Sequence, residues 1–380
     1  MHILIAPNAF KNSLSASEAA IAINEGLSKS NLKYNSTCFP IGDGGDGTAA
    51  LLASQLNATK INKEVKDPLG RSVPSFYYLI EKEKTAIIEL ADASGLRLLN
   101  SNERDPINSS SYGTGQLIAY ALDAGSNKII LCIGGSASVD GATGILAALG
   151  FRFLNSNGLI IEELPLKLKE VYSIDRSQVQ EATLKCKFII MCDVENPLLG
   201  NNGAAKIFGP QKGASSADVF FLEESLTHFS FVTKKETGKD VSLVKYGGAA
   251  GGVAAGLSAW LNAELVNGIE YFLQITSFNE ELIKADLLIT GEGRIDDQTL
   301  SGKGPFGVAK KAKEYNIPVI GIAGSIQSNM DNSINNYFDM LLPINNRSED
   351  LPTSIKNTKI NLVRAATELG NLLYLQNLKM

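Results

Sequence analysis

The sequence predicts an α/β protein with two domains, one built from both ends of the chain and a mixed α/β domain inserted into it. Three observations lead there. The two ends share one grammar, in which short apolar runs of strand character are followed by Gly-rich or polar loops and then by helical stretches. The middle changes period, to β-rich runs separated by turn residues. And 380 residues are more than one typical domain holds. The discontinuous domain is expected at roughly 1–60 and 275–380 and the insert at roughly 61–274, with the cleft between them as the default site.

In chain order, Ile3 to Ala6 reads as a buried strand and Pro7 to Leu14 as its loop, after which Ser15 and Glu18 form a capping box for a helix reaching about Ser30. A strand near Tyr34 to Phe39 leads into PIGDGGDGT and a helix from about Thr48, which gives the βαβα order of a parallel sheet. Lys60 to Lys66, Val73 to Ile80 and Thr85 to Leu90, separated by DPLG and EKEK, read as three antiparallel strands. A helix at about Gly113 to Ala124, a strand at Lys128 to Ile133, the loop GGSASVDG and a helix toward Gly150 follow. KFIIMCD is a further strand with a polar loop behind it. Toward the C-terminus ADLLITGEG, IPVIGIAGS and YFDMLLPIN read as buried strands, with helices at about 305–315 and 352–373.

Composition narrows the function. With 44% hydrophobic and 20% charged residues the chain is neither disordered nor fibrous. Thirty-five basic against forty acidic residues give a net charge of -5, without a basic stripe, which excludes a nucleic-acid binder but leaves room for a small anionic substrate met by a few placed cations. Cys38, Cys132, Cys186 and Cys192 show neither CxxC nor zinc spacing and are expected as buried small hydrophobes in a reducing compartment. No basic region precedes the apolar start and Pro7 interrupts it, so no signal peptide is expected and a cytoplasmic location is. Tyr246 to Ala263 is uncharged but dominated by Gly and Ala, hence a close-packed helix of a globular domain rather than a membrane span.

His2 and His228 are the only histidines and both sit in ordinary contexts, so a proton acceptor here should be a carboxylate or a lysine. The chain instead offers carboxylates in glycine loops that follow strands. In PIGDGGDGT, Asp43 and Asp46 could hold Mg2+ or frame an anion-binding turn, or the segment is an ordinary glycine turn. In GGSASVDG, Ser136, Ser138 and free N–H groups suit a phosphate or carboxylate, with Asp140 directing a metal or accepting a proton, unless Ser138 or Asp140 merely caps the helix. CDVENPLLGNNG carries Asp193 and Glu195 and runs on to Lys206 and Lys212. GEGRIDDQTLSGKGP adds Glu292, Arg294, Asp296, Asp297 and Lys303, but Asp297 stands where a Walker loop needs its first Gly. Lys11 follows the first strand in APNAFKNS, a loop without GxGxxG, which argues against a nicotinamide cofactor. Carboxylates for a divalent cation and lysines for anionic oxygens are the parts phosphoryl transfer uses.

The same loops resemble the type 1 glycerate kinases. IAPNAFKNSLSA, PIGDGGDGT, DPLGR, IGGSASVDGATGILAALGFRFL, CDVENPLLG, GAAKIFGPQKGA, GGAAGGVAAGL and LLITGEGRIDDQTLSGKGPFGVAKKAK keep the family's order from residue 3 to about 325. The resemblance implies a flavodoxin-like domain formed by both termini, an inserted domain, and an ATP-dependent kinase of D-glycerate whose product is 2-phosphoglycerate. It implies ATP and Mg2+ as cofactors and leaves self-association open. The expected site comprises Asp43, Asp140 and Asp193 in catalysis. Lys11, Ser136, Ser138, Asn196, Lys212, Arg294 and Lys303 are expected on substrate or phosphate, and Asp46, Glu292 and Asp296 on the metal. Asp46 replaces the Glu of many relatives and shortens its reach by a methylene; Asn8 replaces an Asp, which argues against that position as the base. Alternatives are a kinase of another small hydroxy acid, formation of 3-phosphoglycerate, and a noncatalytic binder of organic acids.

Overall fold

The structure is a computed structural model and describes residues 1–296 and 303–377. The chain forms two compact units, Met1–Asp43 with Ile269–Met380, and Gly44–Gly268. It passes from the first to the second inside PIGDGGDGT, between Asp43 and Gly44, and returns at Gly268.

The first unit opens with β1 (His2–Ile5), α1 (Ala16–Ser28) and β2 (Asn35–Cys38). The start of α1 is a capping box: the Glu18 N–H donates to Ser15 Oγ at 3.2 Å and the Ser15 N–H donates to the Glu18 carboxylate at 2.8 Å. The second unit contributes α2 (Thr48–Gln55), β3 (Thr59–Lys66), β4 (Ser72–Ile80), β5 (Thr85–Glu89), α3 (Ala91–Ser94), α4 (Tyr112–Asp123), β6 (Lys128–Cys132) and α5 (Thr143–Ala148). It continues with β7 (Arg152–Leu154), β8 (Ser173–Asp175), α6 (Glu181–Lys185), β9 (Lys187–Cys192), α7 (Ala204–Phe208), α8 (Ser216–Thr237), α9 (Ala249–Trp260) and β10 (Glu264–Asn267). The chain then runs through α10 (Gly268–Ile275), α11 (Phe278–Leu282), β11 (Leu287–Ile295), α12 (Gly304–Glu314), β12 (Val319–Ile326), β13 (Met340–Pro343) and α13 (Leu351–Asn377).

The first unit's sheet is wholly parallel in the order β13-β12-β11-β1-β2. Counting only this unit's own strands, that is the order 2-1-3-4-5, the flavodoxin-like arrangement expected from the resemblance. The pairing buries Ile3, Ile5, Leu287, Ile289 and Ile322 against α1 and α13. Thr367 of α13 ties the two helices together by donating to the Gly26 carbonyl at 3.0 Å.

The second unit's sheet runs β10-β9-β6-β5-β4-β3. β3, β4 and β5 are antiparallel, as their turns predict, while β5, β6, β9 and β10 are parallel and bring their C-terminal ends to one edge. Ile88, Leu131, Ile190, Phe229 and Val253 belong to its large core cluster.

Two sequence expectations change. Cys38 is exposed, because it ends an edge strand of the first unit's sheet; the other three cysteines are buried. The Gly/Ala segment forms a helix only from Ala249, and Ala250, Gly251 and Gly252 within it take left-handed φ of 54°, 69° and 92°. The backbone bends there because it follows the GGSASVDG loop: the Gly141 N–H donates to the Gly251 carbonyl at 3.0 Å, and a β-carbon at Gly251 would collide with the Ser138 carbonyl. No helix among the described residues is long and apolar enough to cross a membrane.

Candidate functional site

In a flavodoxin-like sheet, ligands gather beyond the C-terminal strand ends where the strand order reverses, here between β1 and β11. The residues after β1 are Asn8 and Lys11, and those closing β11 are Glu292, Arg294 and, one position on, Asp296. The loops are drawn together by backbone bonds: the Asn8 N–H donates to the Gly291 carbonyl at 2.8 Å. Asp43, buried at the end of the β2 loop, accepts on Oδ2 from Asn8 Nδ2 at 2.8 Å and from the Gly304 N–H, the first residue of α12, at 3.2 Å. Asn8 is thus a donor that an aspartate could not be, and it makes Asp43 an anchor between two loops. Arg294 Nε lies 3.1 Å from one oxygen of Asp296 and Lys303 Nζ 3.8 Å from the other. Lys11 is exposed and Glu292 is buried. Asp297 and the Ser301–Gly302 part of the SGKG sequence lie outside the described residues.

In the second unit the remainder of PIGDGGDGT meets the loop after β6. The Gly134 N–H donates to the Gly44 carbonyl at 2.9 Å, and Gly135, at φ 72°, passes so close to Asp46 that a β-carbon would collide with its carboxylate. Glu89, the last residue of β5 and 4% exposed, accepts on its two oxygens from the Gly47 N–H at 2.7 Å and the Ala49 N–H at 3.1 Å. Burial pushes its carboxyl up to about 7 against the pull of those N–H groups, with Arg97 nearby at 3.6 Å. Nothing in the loop motifs singles out Glu89. Its only signal in the sequence is a lone carboxylate closing the apolar run TAIIE.

A buried ammonium organises the third group. Lys212 is 3% exposed, and its Nζ donates to Ser136 Oγ at 2.7 Å and to the Ser138 carbonyl at 2.6 Å. Burial pulls it down to about 7, opposed by the charges of Asp140 and Asp193. Asp193 is half-buried, just beyond β9. Asp140 is fully buried, and its oxygens accept from the Ser111 N–H and hydroxyl at 2.8 and 2.7 Å, the Gly144 N–H at 3.2 Å, the Ser138 hydroxyl at 3.2 Å and the Ala142 N–H at 3.3 Å. Of the roles open to Asp140, the geometry is that of a cap. The short α5 therefore has few uncommitted N–H groups for an anion, since the Ile145 N–H also goes to Ser111 Oγ at 3.1 Å. Asn196 spends its amide within its own loop, on the Asn202 carbonyl at 2.8 Å. Both histidines are satisfied: His228 Nε2 contacts the Val171 carbonyl at 2.7 Å and His2 Nε2 contacts Thr37 Oγ1 at 3.3 Å.

Among the described residues no three carboxylate, thiol or imidazole groups form a preassembled metal cage. Mg2+ seldom uses one: it binds through one or two carboxylates, with water and phosphate oxygens completing its shell. Each unit carries hard oxygens of that kind, Asp46 in the second and Glu292 and Asp296 in the first; Asp296 would have to share its carboxylate with Arg294 and Lys303.

The whole-chain comparisons agree with the resemblance. Residues 3–374 match the model of the glycerate kinase family. The chain is 46% identical over 324 residues to the glycerate kinase of Halalkalibacterium halodurans, covering 85% of each. It is 40% identical over 370 residues to the glycerate 2-kinase of Escherichia coli K12, covering 97% of each. A crystal structure of a protein assigned as glycerate kinase 2 from Salmonella typhimurium LT2 superposes with a TM-score of 0.82 at 39% identity, over 99% of both chains.

Proposed function

The chain belongs to the glycerate kinase family, and from that premise we propose that it transfers the γ-phosphoryl group of ATP to the 2-hydroxyl of D-glycerate, giving 2-phosphoglycerate and ADP. The observation that carries the reading is the family match over residues 3–374, which includes every polar loop just described. The 2-hydroxyl oxygen bonds to the γ-phosphorus, the bond from that phosphorus to the β–γ bridging oxygen breaks, and ADP leaves with the electron pair. The hydroxyl proton goes to a carboxylate. We assign that acceptor to Asp193, which is half-buried beside the Lys212 charge, whereas Asp140 is already saturated by donors.

Lys212 donates to Ser136 Oγ, so the Ser136 hydroxyl keeps its own hydrogen to donate, and we assign it to the glycerate carboxylate. Ser138 and Asn196 shape the loops that carry these groups. Lys11, Arg294 and Lys303 are assigned to phosphate oxygens, and Asp43 fixes the start of α12 for them. Asp46, Glu292 and Asp296 are assigned as the carboxylates that would hold Mg2+, which would supply charge neutralisation on the phosphates.

The test is turnover with Mg2+ and ATP on D-glycerate, L-glycerate, glycolate and lactate, with phosphorus NMR of the first product. D-glycerate should give the highest kcat/KM and a 2-phosphate signal. Predominant 3-phosphoglycerate overturns the regiochemistry, a better acid overturns the substrate, and binding of D-glycerate without any turnover overturns the kinase.

A further inference from the structure

Resting on the kinase reading above, we propose that Glu89 is a positioning residue that holds the Asp46-bearing half of the glycine loop in its working shape. The bonds within the loop do not reach the Gly47 and Ala49 N–H groups at the opening of α2. α2 starts at Thr48 behind Gly47, whose left-handed φ of 87° aims the chain correctly but which has no side chain to cap the helix. The opening N–H groups of a helix lack partners within it, and here they must be met from elsewhere. Glu89 meets two of them from the end of β5, one oxygen on the Gly47 N–H at 2.7 Å and the other on the Ala49 N–H at 3.1 Å. These bonds bracket the residues immediately after Asp46.

Other stitches are the Gly44 N–H to Thr48 Oγ1 at 3.1 Å, the Gly134 N–H to the Gly44 carbonyl at 2.9 Å and, across Asp46 itself, the Thr48 N–H to the Gly45 carbonyl at 3.2 Å; none of them meets the Gly47 or Ala49 N–H. A carboxylate buried to 4% exposure is expensive unless every oxygen is occupied, and this one is occupied by backbone rather than by a fully engaged ion pair. Arg97 stands 3.6 Å away and is shared with Asp92. The arrangement demands two acceptor oxygens. Glutamine, of nearly the same shape, offers one, and turns an amide N–H₂ toward a backbone N–H.

The experiment compares wild type, Glu89→Gln and Arg97→Gln at about pH 8.5, where a carboxyl titrating near 7 is ionised. Amide hydrogen exchange is read over residues 44–52, with α4 of the same unit as reference, and steady-state kinetics are measured on the same samples. Loss of two charge-assisted bonds should speed exchange in 44–52 by about tenfold or more, leave α4 unchanged, and lower kcat by about tenfold with the KM for D-glycerate within about threefold. Arg97→Gln should move exchange in 44–52 by less than about threefold, because it leaves both backbone bonds in place.

Unchanged exchange in Glu89→Gln, equal acceleration in Arg97→Gln, acceleration that extends to α4, or normal kcat despite a loosened loop each overturns the proposal. If the wild type phosphorylates no glycerate, the function assigned above falls, and the exchange measurement still decides whether Glu89 holds the loop.

Discussion

Lys212 shows what a residue type alone conceals. A lysine in FGPQKG reads as a cation for substrate or phosphate, yet its ammonium is enclosed and fixed by Ser136 and Ser138. Asp140 and Asp193 were legible as loop carboxylates, but the difference between them was not, because it is made by Ser111 and the start of α5, elements the loop meets only after folding. The depressed Lys212 pKa has a measurable sign. The unfolded chain holds the lysine proton up to about 10.4, whereas the folded chain releases it at about 7. Between those values the unfolded state binds more protons, so this lysine makes stability rise with pH across that window. Thermal melts at intervals between about pH 6.5 and 9.5 should show Lys212→Met losing relative to wild type as pH rises, since Met removes the titrating group but keeps much of the volume. A wild-type-minus-variant difference that is flat with pH contradicts the depressed Lys212 pKa.

At the level of elements, the capping box of α1, the antiparallel turns and the strand-loop-helix order could be read directly, because each is set by neighbours within a few residues. The geometry of α9 could not. Its glycines read as those of a close-packed helix, and what bends them out of helical geometry is a loop more than a hundred residues earlier in the chain. Gly256 tests this. In an exposed helix interior, Gly→Ala stabilises by about 1 kcal/mol. Here the new methyl group would collide with the Gly141 carbonyl and stand 2.8 Å from the Ala142 β-carbon. Overpacking costs about 1–3 kcal/mol, enough to reverse the sign. Urea denaturation of Gly256→Ala should give a net loss of about 1–2 kcal/mol. A gain would mean that α9 does not press on the Gly141 loop.

For the molecule as a whole, the two-domain α/β class followed from the change of period along the chain, since periodicity reports which faces are buried. The large core cluster of the second unit is drawn entirely from residues between Val65 and Ala263. A fragment of residues 44–268 is therefore expected to fold alone, with a single cooperative urea transition by circular dichroism and fluorescence from Trp260; a gradual, non-cooperative transition refutes it. The first unit is built the other way. β1 lies between β2 and β11, and Ala6 accepts a hydrogen bond from Thr290, 284 residues later. At about 5–20 residues per second of synthesis, the N-terminal strand waits on the order of 15–60 seconds for that neighbour to leave the ribosome. Throughout that delay Ile3, Leu4 and Ile5 have one flank of their sheet missing, which makes the nascent N-terminus, rather than the finished protein, the natural client of a chaperone.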